Sequence, residues 1–302
     1  MASELTFDSR RPLLVLGGSG QVGGRVMAAA VARYGPGAAL GTCHDHPTQG
    51  LIAADLRDPA DLRQTILEHR PRAVVIAAAF AFVDGCETDP ERAQLANVQG
   101  PRAVGEACAA LEAVPVLLGT DYVFDGERGP YDEASPTCPI NEYGRSKLEA
   151  ERALAAVCPR SLTVRTNVVY SWLPGGNNFL MQVVSKLSRG ERMRVPADQW
   201  NNPTYAPDLA VALLELLERG ASGVVHFGGA DVLERHDFGM RIARAFGVDP
   251  VGLEPVTTRE LNQPAARPLR SGLLTRRFEA LTGRRPMSVA EGIAAALAES
   301  RG

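Results

Sequence analysis

A tyrosine and a lysine four residues apart are the side chains in this chain best suited to acid–base chemistry. Tyr143 and Lys147 would lie on one face of a helix, because residues at i and i+4 are neighbours on a helix surface. A free phenol titrates at about pH 10, and a nearby ammonium group stabilises the phenolate. We therefore expect Lys147 to lower the pKa of Tyr143 toward neutral pH, and also to hold the ribose of a nucleotide.

Thr120 is a candidate for orienting a carbonyl group. It closely follows the apolar run Val114–Leu118, which predicts a buried strand. Ligands of open α/β sheets bind outside the carboxyl ends of the strands, where Thr120 would lie. Thr120, Tyr143 and Lys147 together form the predicted catalytic set, with Tyr143 as the proton donor.

A glycine-rich turn predicts an anion site near this set. Residues 17–23 read Gly-Gly-Ser-Gly-Gln-Val-Gly, directly after the predicted strand Leu13–Leu16 and at the start of a predicted helix, Val22–Tyr34. Glycine is needed where φ is positive or where a side chain would block a pyrophosphate, and the helix N-terminus offers N–H groups to that anion. The pattern predicts a dinucleotide site. We expect it to include Gly17, Gly20, Gln21, Val22 and Gly23.

The segment after the second predicted strand bears on the choice between NADH and NADPH. NADH favours a carboxylate that binds the ribose hydroxyls, whereas NADPH favours cations. Asp45 suits the first and His44 with Arg25 suits the second, so both cofactors stay open. We slightly favour NADPH, because a proton donor at Tyr143 with a carbonyl-orienting hydroxyl at Thr120 suits a reduction. Asp55 and Leu56 are expected to contact the adenine.

The same segment, residues 43–46, reads Cys-His-Asp-His and invites comparison with a metal site. Alternate side chains of a strand point apart, so these four would not converge on one ion. We find no second cluster in the sequence that would complete a ligand set. We expect a polar loop end and no metal.

Alternation of strands and helices positions these residues. Apolar strands unbroken by polar residues indicate a parallel sheet covered on both faces. We therefore predict an α/β fold with a doubly wound, Rossmann-type parallel sheet. The predicted strands are Leu13–Leu16, Ala38–Thr42, Ala73–Ala78, Val114–Leu118, Leu162–Arg165 and Gly223–Phe227. The predicted helices are Val22–Tyr34, Asp58–Arg70 (with Asp58 as N-cap), Glu91–Leu111, Asn141–Val157, Phe179–Arg189, Asp208–Arg219, Asp237–Phe246 and Val289–Glu299.

The rhythm of strands and helices weakens beyond residue 170, which indicates a second, smaller unit. We predict a dinucleotide-binding domain over residues 12–170, with its sheet completed by residues 205–228. A smaller C-terminal substrate lobe would comprise residues 171–204 and 229–302. This lobe would lie over the carboxyl edge of the sheet, where the ligands are expected.

Composition excludes several other classes of function. The net charge is −3 and the pI about 6.0, so no basic field would recruit nucleic acid or acidic membranes. The first eleven residues are polar and lack the apolar stretch of a signal peptide. Five cysteines form no CxxC pair and are odd in number, which favours free thiols in a reducing compartment. We expect a cytoplasmic protein.

Several of these stretches resemble a known family. The chain resembles the extended short-chain dehydrogenases/reductases, and among them the dTDP-4-dehydrorhamnose reductase family, over nearly its whole length. The most specific match is Thr-Asp-Tyr-Val-Phe-Asp-Gly at residues 120–126. The other matching stretches are residues 17–23, 77–80, 83–84, Glu87, Asn97, 130–131, 143–147, 165–166, 178–179, 198–199, 203–204, 208–210 and 267–268.

The resemblance implies reduction of a nucleotide-linked 4-keto-6-deoxy sugar, with Tyr143 protonating the keto oxygen and Thr120 hydrogen-bonded to it. It implies a cofactor that also contacts Ala77, Ala78 and Ala79, and it leaves a homodimer possible. The residues expected at the sugar nucleotide are Asp121, Tyr122, Val168, Asn178, Phe179, Gln199 and Arg267. Arg267 would suit the diphosphate. The family usually carries a tryptophan where this chain has Val168, which leaves the identity of the sugar open.

Two other interpretations stay open. Nucleotide-sugar dehydratases use an Asp-Glu pair where this chain has Asp121-Tyr122, and epimerases share the tyrosine and lysine but recycle a bound NAD. The chain also resembles the regulatory beta subunit of methionine adenosyltransferase, which is a binding protein. That likeness includes His226-Phe227 and the surroundings of Trp200. Trp200 would either stack on a nucleotide base or cap the lobe, and His226 is expected to be a core residue.

Overall fold

The strands are short, and several contain only two residues. In the computed structural model, which describes residues 5–44 and 48–301, they are numbered in chain order. They are β1 (Leu13–Leu16), β2 (Ala39–Cys43), β3 (Ile52–Ala53), β4 (Ala73–Ile76), β5 (Val114–Thr120), β6 (Leu162–Thr166), β7 (Val169–Tyr170), β8 (Met193–Pro196), β9 (Trp200–Asn201), β10 (Thr204–Tyr205), β11 (Gly223–His226), β12 (Leu233–Glu234) and β13 (Leu253–Val256).

The helices lie between these strands. They are α1 (Gln21–Tyr34), α2 (Pro59–His69), α3 (Val83–Thr88), α4 (Pro90–Gln94), α5 (Gly100–Leu111), α6 (Glu142–Val157), α7 (Phe179–Ser188), α8 (Ala206–Glu218), α9 (Arg235–Phe246), α10 (Arg276–Thr282) and α11 (Val289–Glu299). Short 3₁₀ turns cover Asp121–Val123, Pro250–Gly252 and Thr258–Leu261, and a π-helical turn covers Leu95–Gln99. In the part of the chain that the structure describes, no helix is long and apolar enough to cross a membrane.

A seven-stranded parallel sheet has the order β11-β6-β5-β4-β1-β2-β3. The chain moves outward from β1 to β3 on one side and from β4 to β11 on the other. The strand order therefore reverses between β1 and β4, which is where α/β sheets open a crevice for ligands. The predicted doubly wound, Rossmann-type sheet is confirmed.

Alternation along each strand builds a core on both faces of the sheet. In β1, Leu13 and Val15 face a core that α1 and α8 cover, whereas Leu14 and Leu16 face a core covered by α2, α5 and α6. All four side chains are fully buried. Burying a leucine or valine contributes about 1.5–3 kcal/mol, so this central strand anchors both layers.

A separate apolar core lies in the C-terminal part of the chain. It is built by α7, α9 and α11 and by strands β8 and β13, with Phe179, Phe238 and Tyr170 among its buried side chains. Three two-stranded pairs, β7 with β10, β9 with β12 and β8 with β13, brace the chain around it. The domain boundaries given above and the homodimer stay predictions.

The predicted helix Glu91–Leu111 differs from the structure in its start and its winding. It begins at Pro90, because the Asp89 side chain accepts a hydrogen bond from the backbone N–H of Arg92 and caps the first turn. The π-helical turn at Leu95–Gln99 then separates α4 from α5. Single π turns occur often at functional sites, and this one carries the buried Asn97.

Candidate active site

The glycine turn between β1 and α1 leaves no room for side chains. Gly17 has φ +88°, and a Cβ there would lie 2.7 Å from the Cβ of Ala78. A Cβ at Gly23 would lie 2.1 Å from the carbonyl oxygen of Gly17. The turn is closed by a 3.0 Å hydrogen bond from the Gly20 N–H to that same oxygen. The backbone is thus packed tightly against the end of β4, with its N–H groups at the start of α1.

Beside this turn lies a cavity of about 380 Å³. Its walls are the glycine turn, the ends of β2 and β4, and the segment after β3. The lining includes Gly17, Ser19, Gly20, Thr42, Cys43, His44, Ala54, Asp55, Leu56, Arg57, Ala77, Ala78, Ala79, Phe80, Ala81, Arg92 and Ala96. A slot at the switch point, with apolar walls and exposed backbone N–H groups, fits the adenosine and pyrophosphate of a dinucleotide. Eight of the predicted cofactor residues lie together here, whereas Gln21, Val22 and Gly23 follow on α1.

The far end of this cavity is polar. Arg57 Nε donates to Asp55 at 3.0 Å, and Arg57 Nη2 lies 2.6 Å from His44 Nε2. Although burial opposes it, these bonds from Arg57 hold the pKa of Asp55 below its usual value. Arg25, the cation predicted to join His44, points elsewhere: it pairs with Glu299 at 2.6 Å. The prediction for Arg25 was wrong, because its position on α1 directs the side chain toward Glu299 of α11. Asp45, the carboxylate predicted for NADH, lies outside the described residues.

Helix α6 places Tyr143 and Lys147 on its first two turns. Asn141 caps it by accepting a hydrogen bond from the Gly144 N–H at 2.8 Å, and donates its amide to the carbonyl of Ala266 at 2.7 Å. Lys147 is only 3% exposed. Burial lowers its pKa from 10.5 to about 8. A buried ammonium at this sheet edge carries N–H donors that suit a ribose, and the ribose contact of Lys147 stays a prediction.

The expected lowering of the pKa of Tyr143 does not occur. Burial raises it well above the usual value; the Thr120 hydroxyl opposes this rise and the charge of Asp121 adds to it. The expectation was wrong because removal of the phenol from water raises its pKa more than the Thr120 hydroxyl lowers it. The consequence is that Tyr143 is a neutral phenol at neutral pH, which is the form that can donate a proton.

Thr120 ends β5 beside Tyr143. Its Oγ1 donates to Asp121 Oδ1 at 3.2 Å and accepts from the Tyr122 N–H at 3.2 Å. The rings of Tyr122 and Tyr143 meet edge to face, with centroids 5.6 Å apart. The structure therefore brings the predicted catalytic threonine and tyrosine together, with two of the predicted substrate residues directly beside them.

A buried hydrogen-bond network holds Asp121, the residue that follows Thr120. Asp121 is 2% exposed and accepts hydrogen bonds from Ser271 Oγ and, at 3.3 Å, from Asn167 Nδ2. Burial raises its pKa to about 6, although these hydrogen bonds oppose the rise. Ser271 lies 150 residues further along the chain, so its bond ties the C-terminal segment to Asp121, the residue that follows Thr120.

Asn97, in the π turn, links the cofactor side to the catalytic helix. Its amide donates to the carbonyl of Phe80 at 3.1 Å and to Ser146 Oγ at 3.1 Å, and its oxygen accepts from the Phe80 N–H at 2.8 Å. Phe80 follows the alanines after β4, and Ser146 precedes Lys147. Asn97 is among the positions that resemble the family, but no local pattern predicts its partners, which lie 17 and 49 residues away along the chain.

Of the other predicted substrate residues, Phe179 and Val168 contribute to the C-terminal core, whereas Arg267 pairs with Asp84 of α3. Asn178 caps α7, accepting from the Met181 N–H at 3.2 Å, and Phe179 begins that helix with its ring 6% exposed. Gln199 is buried and donates to Thr258 at 3.0 Å. Val168 has φ +39°, a region that β-branched residues rarely enter. Such strain is typical of functional sites.

Comparison with known proteins identifies the family. The profile of the RmlD substrate binding domain matches residues 11–301. A dTDP-4-dehydrorhamnose reductase of Mycobacterium tuberculosis is 34% identical over 91% of this chain and 88% of its own. The chain belongs to the dTDP-4-dehydrorhamnose reductase family. The predictions that the chain resembles this family and that it is an oxidoreductase are thereby confirmed.

Other members of this reductase family agree. A dTDP-4-keto-6-deoxy-D-glucose reductase of Streptomyces niveus is 34% identical over 84% of this chain and 85% of its own. A dTDP-4-dehydrorhamnose reductase of Bacillus anthracis, solved in complex with NADP, superposes with a TM-score of 0.87 and 27% identity. It covers 96% of this chain and 99% of its own. The relatives thus share the fold over essentially the whole described length.

One basic residue at the reductase site was missed. Arg235 begins α9, and its guanidinium lies over the ring of Phe179, 4.7 Å from the centroid. Burial and Asp121 raise the pKa of Tyr122, whereas the charges of Arg235 and Arg267 oppose this rise. The sequence around Arg235 matches no motif, and its only signal was a cation at the start of a helix, where a cation is unfavourable.

His226 was expected to be a core residue, and it has partners there. His226 is fully buried: its backbone N–H donates to Glu133 at 2.8 Å, and its Nδ1 lies 3.2 Å from the carbonyl oxygen of Tyr131. Trp200 is 40% exposed and lies on β9. Among the described residues, no three His, Cys, Asp or Glu side chains converge as a metal site would require.

Proposed function

We propose that this protein reduces the keto group of a nucleotide-linked 4-keto-6-deoxy sugar, with Tyr143 as the proton donor and NADPH as the cofactor. The observation that carries the proposal is the grouping of Thr120, Tyr143 and Lys147 beside the cofactor cleft. At neutral pH Tyr143 is a neutral phenol and Lys147 is a buried ammonium, and these are the protonation states that the reaction needs. Members of its family named for reduction of such sugars support the substrate class.

Bound NADPH would supply the hydride that adds to the keto carbon. Negative charge then develops on the keto oxygen, and Tyr143 donates its phenolic proton to that oxygen. Thr120 holds the oxygen in line by a hydrogen bond, which requires its hydroxyl to turn from Asp121 toward the substrate. The ammonium of Lys147 stabilises the phenolate that remains and orients the nicotinamide ribose.

NADPH is favoured over NADH by the polar end of the cofactor cavity. Arg57 is a cation suited to a 2′-phosphate, although Asp55 pairs with it and would equally accept ribose hydroxyls. The Bacillus anthracis relative was solved with NADP, which supports the same preference. Dehydration is disfavoured, because Tyr122 stands where that reaction needs a carboxylic acid.

The test is consumption of NADPH in the presence of dTDP-4-keto-6-deoxy sugars, with identification of the product. Tyr143→Phe should lower turnover by roughly 10²–10⁴-fold, the usual contribution of a positioned acid, while NADPH binding is retained. Tyr34→Phe is the matched control, since its hydroxyl bonds Glu218 away from the site. Wild-type turnover by Tyr143→Phe would refute the assignment of the proton donor.

The same assay separates the reductase from the alternatives. An epimerase would convert its sugar without net loss of NADPH. A regulatory protein would show no turnover with any 4-keto sugar yet would bind another enzyme tightly. Either result, obtained with folded wild-type protein, would overturn the proposed function.

A further inference from the structure

Two arginines approach Tyr122 from different parts of the chain, and they differ in their partners. Arg267 donates to Asp84 Oδ1 at 2.6 Å and to the carbonyl of Ala265 at 2.5 Å. Its side chain is 8% exposed, so this is a well-shielded ion pair. The positive charge of Arg267 is therefore largely neutralised before any ligand arrives.

Arg235 has no such partner. Within residues 5–44 and 48–301, no carboxylate lies within ion-pair distance of its guanidinium, which instead lies over the ring of Phe179. The residue is half-buried at the start of α9, next to the buried core that Phe179 and Phe238 form. A partly desolvated cation held only by an aromatic face leaves N–H donors available for an anion.

The groups that interact with Arg235 do not neutralise its positive charge. Asp121 is the nearby carboxylate that interacts with it, but Asp121 is buried and already accepts hydrogen bonds from Ser271 and Asn167. Tyr122 interacts with it as well, and Arg267 repels it. Burial lowers the pKa of Arg235 below its usual value, because a partly desolvated guanidinium is less favourable than one in water.

We infer that Arg235, rather than Arg267, is the principal ligand of the diphosphate in the sugar-nucleotide substrate. This inference rests on the proposed function. Arg267 then acts on the same site as a positioning residue, because its bond to Asp84 fixes the segment that carries Ala265 against α3. Guanidinium forks bind phosphate oxygens bidentately, so the placement of Arg235 also sets the distance from the diphosphate to Tyr143.

The test compares the binding of dTDP with that of thymidine by calorimetry on the full-length protein. The ratio of the two affinities isolates the diphosphate. A charge-assisted hydrogen bond at a partly buried site changes affinity by about 10–100-fold. Arg235→Gln should reduce dTDP affinity by that factor and leave thymidine affinity within about twofold. Arg241→Gln is the matched control, an exposed arginine of the same helix paired with Asp237.

Arg267 is tested with its partner removed at the same time, so that no carboxylate is left unpaired. The double variant Asp84→Asn/Arg267→Gln should change the ratio of dTDP to thymidine affinity by less than about threefold. A wild-type ratio in Arg235→Gln, or a larger loss in the double variant than in Arg235→Gln, would overturn the inference. Thermal melts that match the wild type ensure that each variant is folded.

Failure of the inference and failure of the proposed function are distinguishable. Turnover of a 4-keto sugar by Arg235→Gln with an unchanged KM would overturn the inference and leave the reductase intact. A wild-type protein that binds dTDP through Arg235 but turns over no 4-keto sugar would overturn the proposed function alone. A wild-type protein that binds dTDP no more tightly than thymidine would overturn the inference.

Discussion

Replacing Lys147 by methionine should stabilise the protein at neutral pH while it weakens cofactor binding. The pKa of Lys147 falls from 10.5 to about 8 because the ammonium is buried, and one pKa unit corresponds to about 1.4 kcal/mol. Keeping the ammonium charged at pH 7 therefore costs about 3 kcal/mol of folding free energy. Methionine has a similar length and carries no charge, so its variant avoids this cost.

The direction of the pH dependence follows from the lowered pKa. Between pH 8 and 10.5 the unfolded chain keeps the proton on Lys147 and the folded chain has lost it, so the stability of the wild type rises with pH there. The advantage of Lys147→Met is thus full below pH 8 and falls to about 1 kcal/mol or less as the pH reaches 10. With about 2.1 cal/mol/K of unfolding entropy per residue, 3 kcal/mol corresponds to about 5 °C in Tm.

Thermal melts of both proteins from pH 6.5 to 10 measure this difference directly. Lys186→Met is the matched control, because Lys186 is the only other lysine in the chain and lies on α7. Its Tm should move by less than about 2 °C and without the same pH dependence. A Tm difference for Lys147→Met that stays constant across this pH range would refute the reasoning. NADPH titration should show weaker binding by the variant at pH 7, the functional cost of the added stability.

Further substitutions test the cleft and the core. Gly17→Ala should abolish NADPH binding, measured by fluorescence titration, and lower the Tm, because its Cβ would meet Ala78 at 2.7 Å with φ +88°; retained binding would contradict the close packing of the turn. Thr120→Val should lower kcat by roughly 10–100-fold with little change in NADPH affinity, and an unchanged kcat would remove Thr120 from the mechanism. Leu14→Ala should cost about 2–5 kcal/mol in denaturant unfolding, since Leu14 is fully buried at the centre of the sheet; a loss below about 1 kcal/mol would show that the core relaxes around the cavity.

The main sheet and its helices were predictable because their signals are local. Strand β1 agrees with the prediction to the residue, and α2 starts where Asp58 was expected to cap it, accepting from the N–H groups of Ala60 and Asp61. The pairs β7–β10, β9–β12 and β8–β13 were not predicted. Most of these strands have two residues, too few for any periodicity, and their pairing depends on contacts between distant segments.

The candidate site divides in the same way. Tyr143 and Lys147 are defined by their spacing, and Gly17 by its position between a strand and a helix, so each could be predicted from its neighbours. The role of Asn97 and the approach of Arg235 depend on how the chain folds back, which no local pattern encodes. The predicted direction of the pKa change at Tyr143 was wrong for a related reason, because the burial of a side chain depends on the whole fold.

The pairing of α8 with α1 has a consequence for the order in which the chain is made. The face of α1 that carries Val26 and Ala30 is covered by Leu209 and Leu213 of α8, which leave the ribosome some 180 residues later. A nascent chain that ends after β6 can form much of the sheet but leaves this apolar face open to water. We expect such truncated chains to aggregate or recruit chaperones, and release to follow synthesis of α8.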